Sequence, residues 1–134
     1  MDPQLDKSRA ARRFDPRPHL VAEARAFIRH HIQGSPRAED VELAASELAT
    51  NAIRHAKTPF ELAIHIAPHR IRLEVADESP DVPILMEPTG LRHGLHILDA
   101  LAERWGTDRV DSGKVVWAEF STQLSGSRRV VVGQ

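Results

Sequence analysis

The sequence predicts an α+β domain built as a two-layer α/β sandwich, a mixed but mainly antiparallel sheet covered on one face by helices. Three observations carry that expectation. Apolar residues recur at helical spacing near 20–32, 41–55 and 94–105. Between the second and third of these stretches the period drops to two: Phe60, Leu62, Ile64 and Ile66, then Ile71, Leu73 and Val75, alternate with polar or small residues. Only Ala67-Pro68-His69 separates the two runs, a length that suits a hairpin.

Composition narrows what such a domain can do. A chain of 134 residues fits one domain, large enough to bury a core without metals or disulfides. It has no cysteine, which excludes disulfide staples and thiolate metal sites and suits a reducing compartment. Lys+Arg 18 against Asp+Glu 19 gives a net charge of -1, so no overall basic field would recruit nucleic acid directly. No run approaches membrane-spanning length, and no basic cap precedes a long apolar core near the start, so the expectation is a cytoplasmic protein without membrane attachment.

Taken in order, residues 1–11 are polar and aperiodic and read as a flexible N-terminal arm or an element that orders only against a partner. Arg12-Arg13-Phe14 reads as a short edge strand. Asp15-Pro16-Arg17-Pro18 then supplies a capping carboxylate and prolines suited to a helix start. Leu20, Ala24, Phe27, Ile28 and His31 mark the first helix to about Ile32, and Gly34 stops it. Ser35-Pro36 opens the second, whose pattern firms at Val41 and runs to about His55.

After the hairpin strands, counting by two from Val75 reaches Asp77, which the same parity points toward the helix-covered face. An unpaired carboxylate there would be costly, so something must hydrogen-bond it. Glu78 to His93 holds Pro80, Pro83, Pro88 and Gly90 without a sustained period and reads as a long loop, of a length that is usually a functional lid or disordered. From Gly94 a third helix carries Leu98, Leu101, Ala102 and Trp105 on one side and ends at Gly106. Strands near Gly106 to Val110 and Val115 to Phe120, joined by Asp111-Ser112-Gly113, close the sheet. The tail, 123–134, is peripheral.

The chemistry concentrates in Glu47-Leu48-Ala49-Thr50-Asn51-Ala52-Ile53-Arg54-His55-Ala56. Steps of four along an α-helix keep Glu47, Asn51 and His55 on one flank, beside an apolar stripe of Val41, Ala45, Leu48 and Ala52. Such a helix can pack on a sheet with one edge and hold a carboxylate and an amide toward a ligand with the other. The alternative for Glu47 is a surface carboxylate paired with an arginine. For His55 a packed histidine is as good a reading as a ligand neighbour.

With that stretch, Asp77, Gly94-Leu95, Leu98-Asp99-Ala100-Leu101-Ala102-Glu103-Arg104-Trp105-Gly106 and Gly113-Lys114-Val115-Val116-Trp117 in order, the chain resembles the small anti-sigma-factor serine/threonine kinases of the histidine-kinase-like ATPase superfamily, in their single-domain actinobacterial form. The resemblance covers roughly Arg12 to Phe120 and implies a Bergerat-type ATP-binding domain over 12–122. It implies ATP and Mg²⁺ as cofactors, with Asn51 a metal ligand through its amide oxygen and Glu47 the catalytic general base toward a substrate hydroxyl. Asp77 would accept from the adenine amino group, Gly94 and Leu95 would begin a helix whose free amides approach phosphate, and His55 and Lys114 would stand near the nucleotide. For Lys114 the commoner outcome is a solvated turn lysine.

The function implied is an anti-sigma factor and Mg²⁺-dependent kinase of an anti-sigma factor antagonist, controlling transcription by partner switching. Its partners would be the sigma factor, the antagonist and ATP or ADP, and a homodimer is left open. The chain departs from the family where glycines usually follow the aspartate (here Asp77-Glu78-Ser79-Pro80-Asp81), at Arg92, and at Val115 in place of a hydroxyl. The competing reading is therefore a catalytically weak or inactive module of the same fold that regulates a partner by stoichiometric contact. A histidine metal site built on His30-His31 or His93 and His96 lacks a cysteine or well-spaced carboxylate to complete it. The pairs Arg12-Arg13 and Arg128-Arg129, with little aromatic interleaving, make a poor nucleic-acid surface.

Overall fold

Alternation of large apolar residues gives an extended chain one face to bury, and here that face builds the sheet. The structure, a computed structural model, describes residues 8–79 and 93–123, of which 93–96 are described as backbone only. β2 (Phe60–Ala67) and β3 (Arg70–Asp77) form the expected hairpin, and β4 (Arg104–Val110) and β5 (Gly113–Ser121) form a second. β1 (Ser8–Phe14) runs along the outer side of β2, giving the order β1-β2-β3-β5-β4. Every neighbouring pair is antiparallel, where the sequence reading allowed a mixed sheet.

Two boundaries differ from the sequence expectation. β1 begins at Ser8, so Ser8 to Ala11 belong to a strand and not to a flexible arm. Its Ser-Arg-Ala-Ala-Arg-Arg run has no large apolar alternation because it is an edge strand, where charge discourages further pairing. The third helix ends at Leu101, and Trp105 and Gly106 lie inside β4. Gly106 is no helix stop. It pairs with Trp117, whose indole lies so close that a Cβ at 106 would come within 2.8 Å of the ring. Residues 80–92, the greater part of the expected loop, and the tail from 124 lie outside the described residues.

The helices cover one face. After a 3₁₀ turn at Pro18–Leu20, α1 (Val21–Ile32) buries Ala24, Ile28 and Ile32. Gly34 then adopts φ +85, a left-handed conformation that ends the helix at little cost for glycine alone. α2 (Ala38–Asn51) carries Glu39 and Asp40 in its first turn, favourable to its dipole, and buries Val41, Ala44, Ala45, Leu48 and Ala49. α3 (His93–Leu101) adds Leu98. These side chains meet Phe60, Leu62, Ile64, Ile71, Leu73, Val75, Val116, Ala118 and Phe120 from the sheet in one core.

Arg37, just before α2, ties the layers together. Its guanidinium donates to the carbonyl oxygens of Leu101 (2.7 Å) and Ser121 (2.8 Å), pairs with Asp40 and Glu103, and lies over the Phe120 ring. The carbonyls of α3's last turn and β5's end would otherwise lack these donors. Arg37→Ala is therefore expected to lower stability by about 2 kcal/mol in urea unfolding. A change below about 0.5 kcal/mol would show that water replaces those contacts.

The opposite face carries a row of charge across the strands: Arg9, His65, Arg72, Glu119 and Arg104. Glu119 is nearly buried and accepts from Arg70 (3.2 Å), Arg72 (2.7 Å) and Arg104 (2.6 Å). Burial pushes its pKa up, but the hydrogen bonds from Arg104, Arg72 and Arg70 prevail and hold it down from 4.5 to about 2. A carboxyl depressed in the folded state stabilises fully above its unfolded pKa and loses that contribution as pH falls from 4.5 toward 2. Allowing for solvent around the exposed Arg70 and Arg104 heads, Glu119→Gln is expected to cost about 1 to 2 kcal/mol at pH 7 and little near pH 2. Urea unfolding across that pH range measures the difference; an unchanged acid limb would contradict it.

Candidate functional site

The helix stretch singled out in the sequence ends in a change of winding. α2 is α-helical through Asn51, whereas Ala52–Ala56 forms a π turn closed by Lys57 in a left-handed conformation, φ 59. The expected apolar stripe is present, with Val41, Ala45, Leu48 and Ala52 all buried. His55 lies within the π turn and is exposed, so it is not the packed histidine of the alternative reading.

Glu47 and Asn51 are half-buried, and among the described residues neither makes a side-chain hydrogen bond or ion pair. Their neighbours behave otherwise. Glu42, one turn before Ser46 and also half-buried, is held by Arg29 and Arg25, and Asp40 by Arg37. Glu74, Asp77 and Glu119 are likewise paired. Glu47 is thus the half-buried carboxylate without a partner among the described residues, and the arginine pairing considered for it is not found there. A carboxylate and an amide oxygen one helical turn apart, both with free lone pairs, can take a cation or a proton.

The second half of the site is the end of the sheet. Phe14, Phe60, Asp77 and Lys114 stand side by side in register on the core face. Phe14 and Phe60 stack, with ring centroids 5.4 Å apart. Beside them Asp77 and Lys114 are buried together, Nζ lying 3.1 Å from Oδ1 and 3.0 Å from Oδ2. The Ser79 amide donates to Oδ1 at 2.9 Å. The parity expectation for Asp77 holds: it faces inward and is hydrogen-bonded.

Lys114 is not a solvated turn lysine: it is buried. Its register opposite Asp77 takes the ammonium inward at the far end of β3. The approach is close because Gly113 lies against the backbone of Asp77 and Glu78, where a Cβ at 113 would overlap the Asp77 carbonyl oxygen.

Chain order brings the two halves together. The π turn leads through Lys57, Thr58 and Pro59 into Phe60, the residue paired with Asp77. The Thr58 hydroxyl accepts from the Glu78 amide at 3.0 Å, fastening the exit of the helix to the exit of β3. Gly94 and Leu95 fall in the first turn of α3, whose leading amides have no partner inside the helix. Their side-chain surroundings and the preceding loop with Arg92 lie outside the described residues.

Sequence reasoning missed Thr58, Ser79 and the Phe14–Phe60 stack beside Asp77. Only Phe60 carried a usable signal, its place directly opposite Asp77 if the hairpin is folded about Pro68 and His69. Among the described residues no three His, Cys, Asp or Glu side chains cluster to hold a metal. That leaves the histidine metal alternative without a site there. No helix among them is long and apolar enough to cross a membrane.

Residues 14–120 match the histidine kinase-like ATPase domain family. Among solved structures, the fold is similar to that of the RsbU and RsbW domains of Rv1364c from Mycobacterium tuberculosis, with a TM-score of 0.65 at 18% identity over 84% of this chain. The chain spans 32% of that longer protein's length. No curated protein matches the sequence closely enough to count as a relative.

Proposed function

Because the chain belongs to the histidine kinase-like ATPase domain family, its match covering residues 14–120, we propose that it is an ATP-binding regulator acting as an anti-sigma factor and as a serine/threonine kinase of that factor's antagonist. The observation that carries this reading is the unpaired Glu47 and Asn51 on the same helix, whose exit is fastened to the strand end holding Asp77. Asp77 would then supply an acceptor for a base, and Glu47 and Asn51 two free oxygens.

In this reading Asp77 accepts from the adenine amino group, and the amides of Gly94 and Leu95 meet phosphate. Asn51 would hold Mg²⁺ through its amide oxygen, a hard donor suited to that ion, which would supply charge neutralisation on the phosphates. The substrate hydroxyl oxygen bonds to the γ-phosphorus as the bond to the β-γ bridging oxygen breaks and ADP leaves. Glu47 takes the hydroxyl proton. Phosphorylation of the antagonist would release it, and the unphosphorylated antagonist would compete with the sigma factor for this protein. His55, exposed on the π turn, is left at the margin of the site.

One observation favours the competing reading of a stoichiometric binding module: Asp77 is already paired with a buried lysine. Calorimetric titration with ATP and Mg²⁺ separates the two. The kinase reading expects saturable binding that Asn51→Ala weakens at least tenfold, and labelled phosphate transfer to an antagonist that Glu47→Ala slows by about a hundredfold or more. Absence of nucleotide binding by the unaltered protein rejects it. Normal transfer by Glu47→Ala rejects the base assignment.

A further inference from the structure

The Asp77–Lys114 pair has hydrogen-bonding capacity left over. An ammonium has three donors, and two suffice for the contacts at 3.0 and 3.1 Å to the two carboxylate oxygens. Oδ1 accepts from both Lys114 and the Ser79 amide, whereas Oδ2 has only its ion-pair contact with Lys114. The couple thus holds one spare acceptor, on Oδ2, and one spare donor, on Nζ, side by side at the end of the core face beside the Phe14–Phe60 stack.

Asp77 by itself could read only donors. Joined to Lys114 it matches a flat ring edge bearing a donor next to an acceptor, and the 6-amino group and N1 of adenine form such an edge. Resting on the ATP-binding reading above, we infer that Lys114 is a specificity-determining residue that donates to N1 of the base while Asp77 accepts from the 6-amino group. A neutral pair of charges here also lets the site stay buried without ligand, since neither ion is left alone in the core. A 6-oxopurine reverses the pattern, setting its carbonyl against the carboxylate and its N1–H against the ammonium.

The test compares ATP with 1-deaza-ATP, which keeps the 6-amino group and loses the ring acceptor, by calorimetry with Mg²⁺. The unaltered protein is expected to bind ATP about tenfold or more tightly than the deaza analogue. In Lys114→Met the two are expected to bind within about twofold of each other, both more weakly than ATP binds the unaltered protein. A lysine that merely supports the fold would weaken both nucleotides by the same factor and leave the ratio intact, which would overturn the assignment. Equal affinities in the unaltered protein overturn it without any variant. Failure of ATP itself to bind overturns the nucleotide reading as well, so the two failures are told apart.

Discussion

Gly113→Ala is expected to lower folding stability by about 3 kcal/mol or more, among the largest effects of any single methyl in this protein. The added carbon would overlap the Asp77 carbonyl oxygen and lie 2.7 Å from the Glu78 Cα. Both are backbone atoms, and Asp77 ends a central strand held by the ladder to β2 on one side and β5 on the other, so neither can rotate away as a side chain would. Relief requires β3 and β5 to separate where Asp77 and Lys114 face each other. Urea unfolding measures the cost, and a loss below about 1 kcal/mol would show that the strands part easily there.

Removing Lys114 is expected to be nearly as severe. Lys114→Met leaves the Asp77 carboxylate in the core with the Ser79 amide as its remaining hydrogen-bond donor among the contacts described, and losing one partner of a buried pair costs about 3 kcal/mol. The double variant Asp77→Asn/Lys114→Met removes both charges and is expected to recover part of that loss, because the penalty lies in the orphaned ion more than in the lost attraction. Additive losses in the double variant would contradict the coupling.

Much of this arrangement is legible in the residues. Alternation through Ile71, Leu73 and Val75 places Asp77 inward before any coordinates are seen, and four-residue spacing puts Glu47 and Asn51 together beside a stripe that is indeed buried. Local pattern fails where a neighbour decides. Ser8 to Ala11 extend because β2 offers an open edge, a fact that lies in β2 and not in their own composition. Trp105 continues a helical period but joins β4, because β5 pairs with it.

The π turn after Asn51 has no mark in Ala52-Ile53-Arg54-His55-Ala56. The partner of Asp77 was also out of reach. Parity says that a carboxylate must be satisfied; only the β3–β5 register says that Lys114 does it.

The central claim is that the C-terminal part of α2 and the Asp77 end of the sheet form one nucleotide site. Amide chemical shifts recorded during titration with ATP and Mg²⁺ test it most directly. The account predicts that amides of Glu47, Asn51, Asp77, Ser79 and Lys114 move together along one saturation curve while Arg9, Arg70 and Arg72 on the opposite face stay still. Shifts confined to the arginine-bearing face, or a saturated complex in which Asn51 and Asp77 do not move, would contradict it.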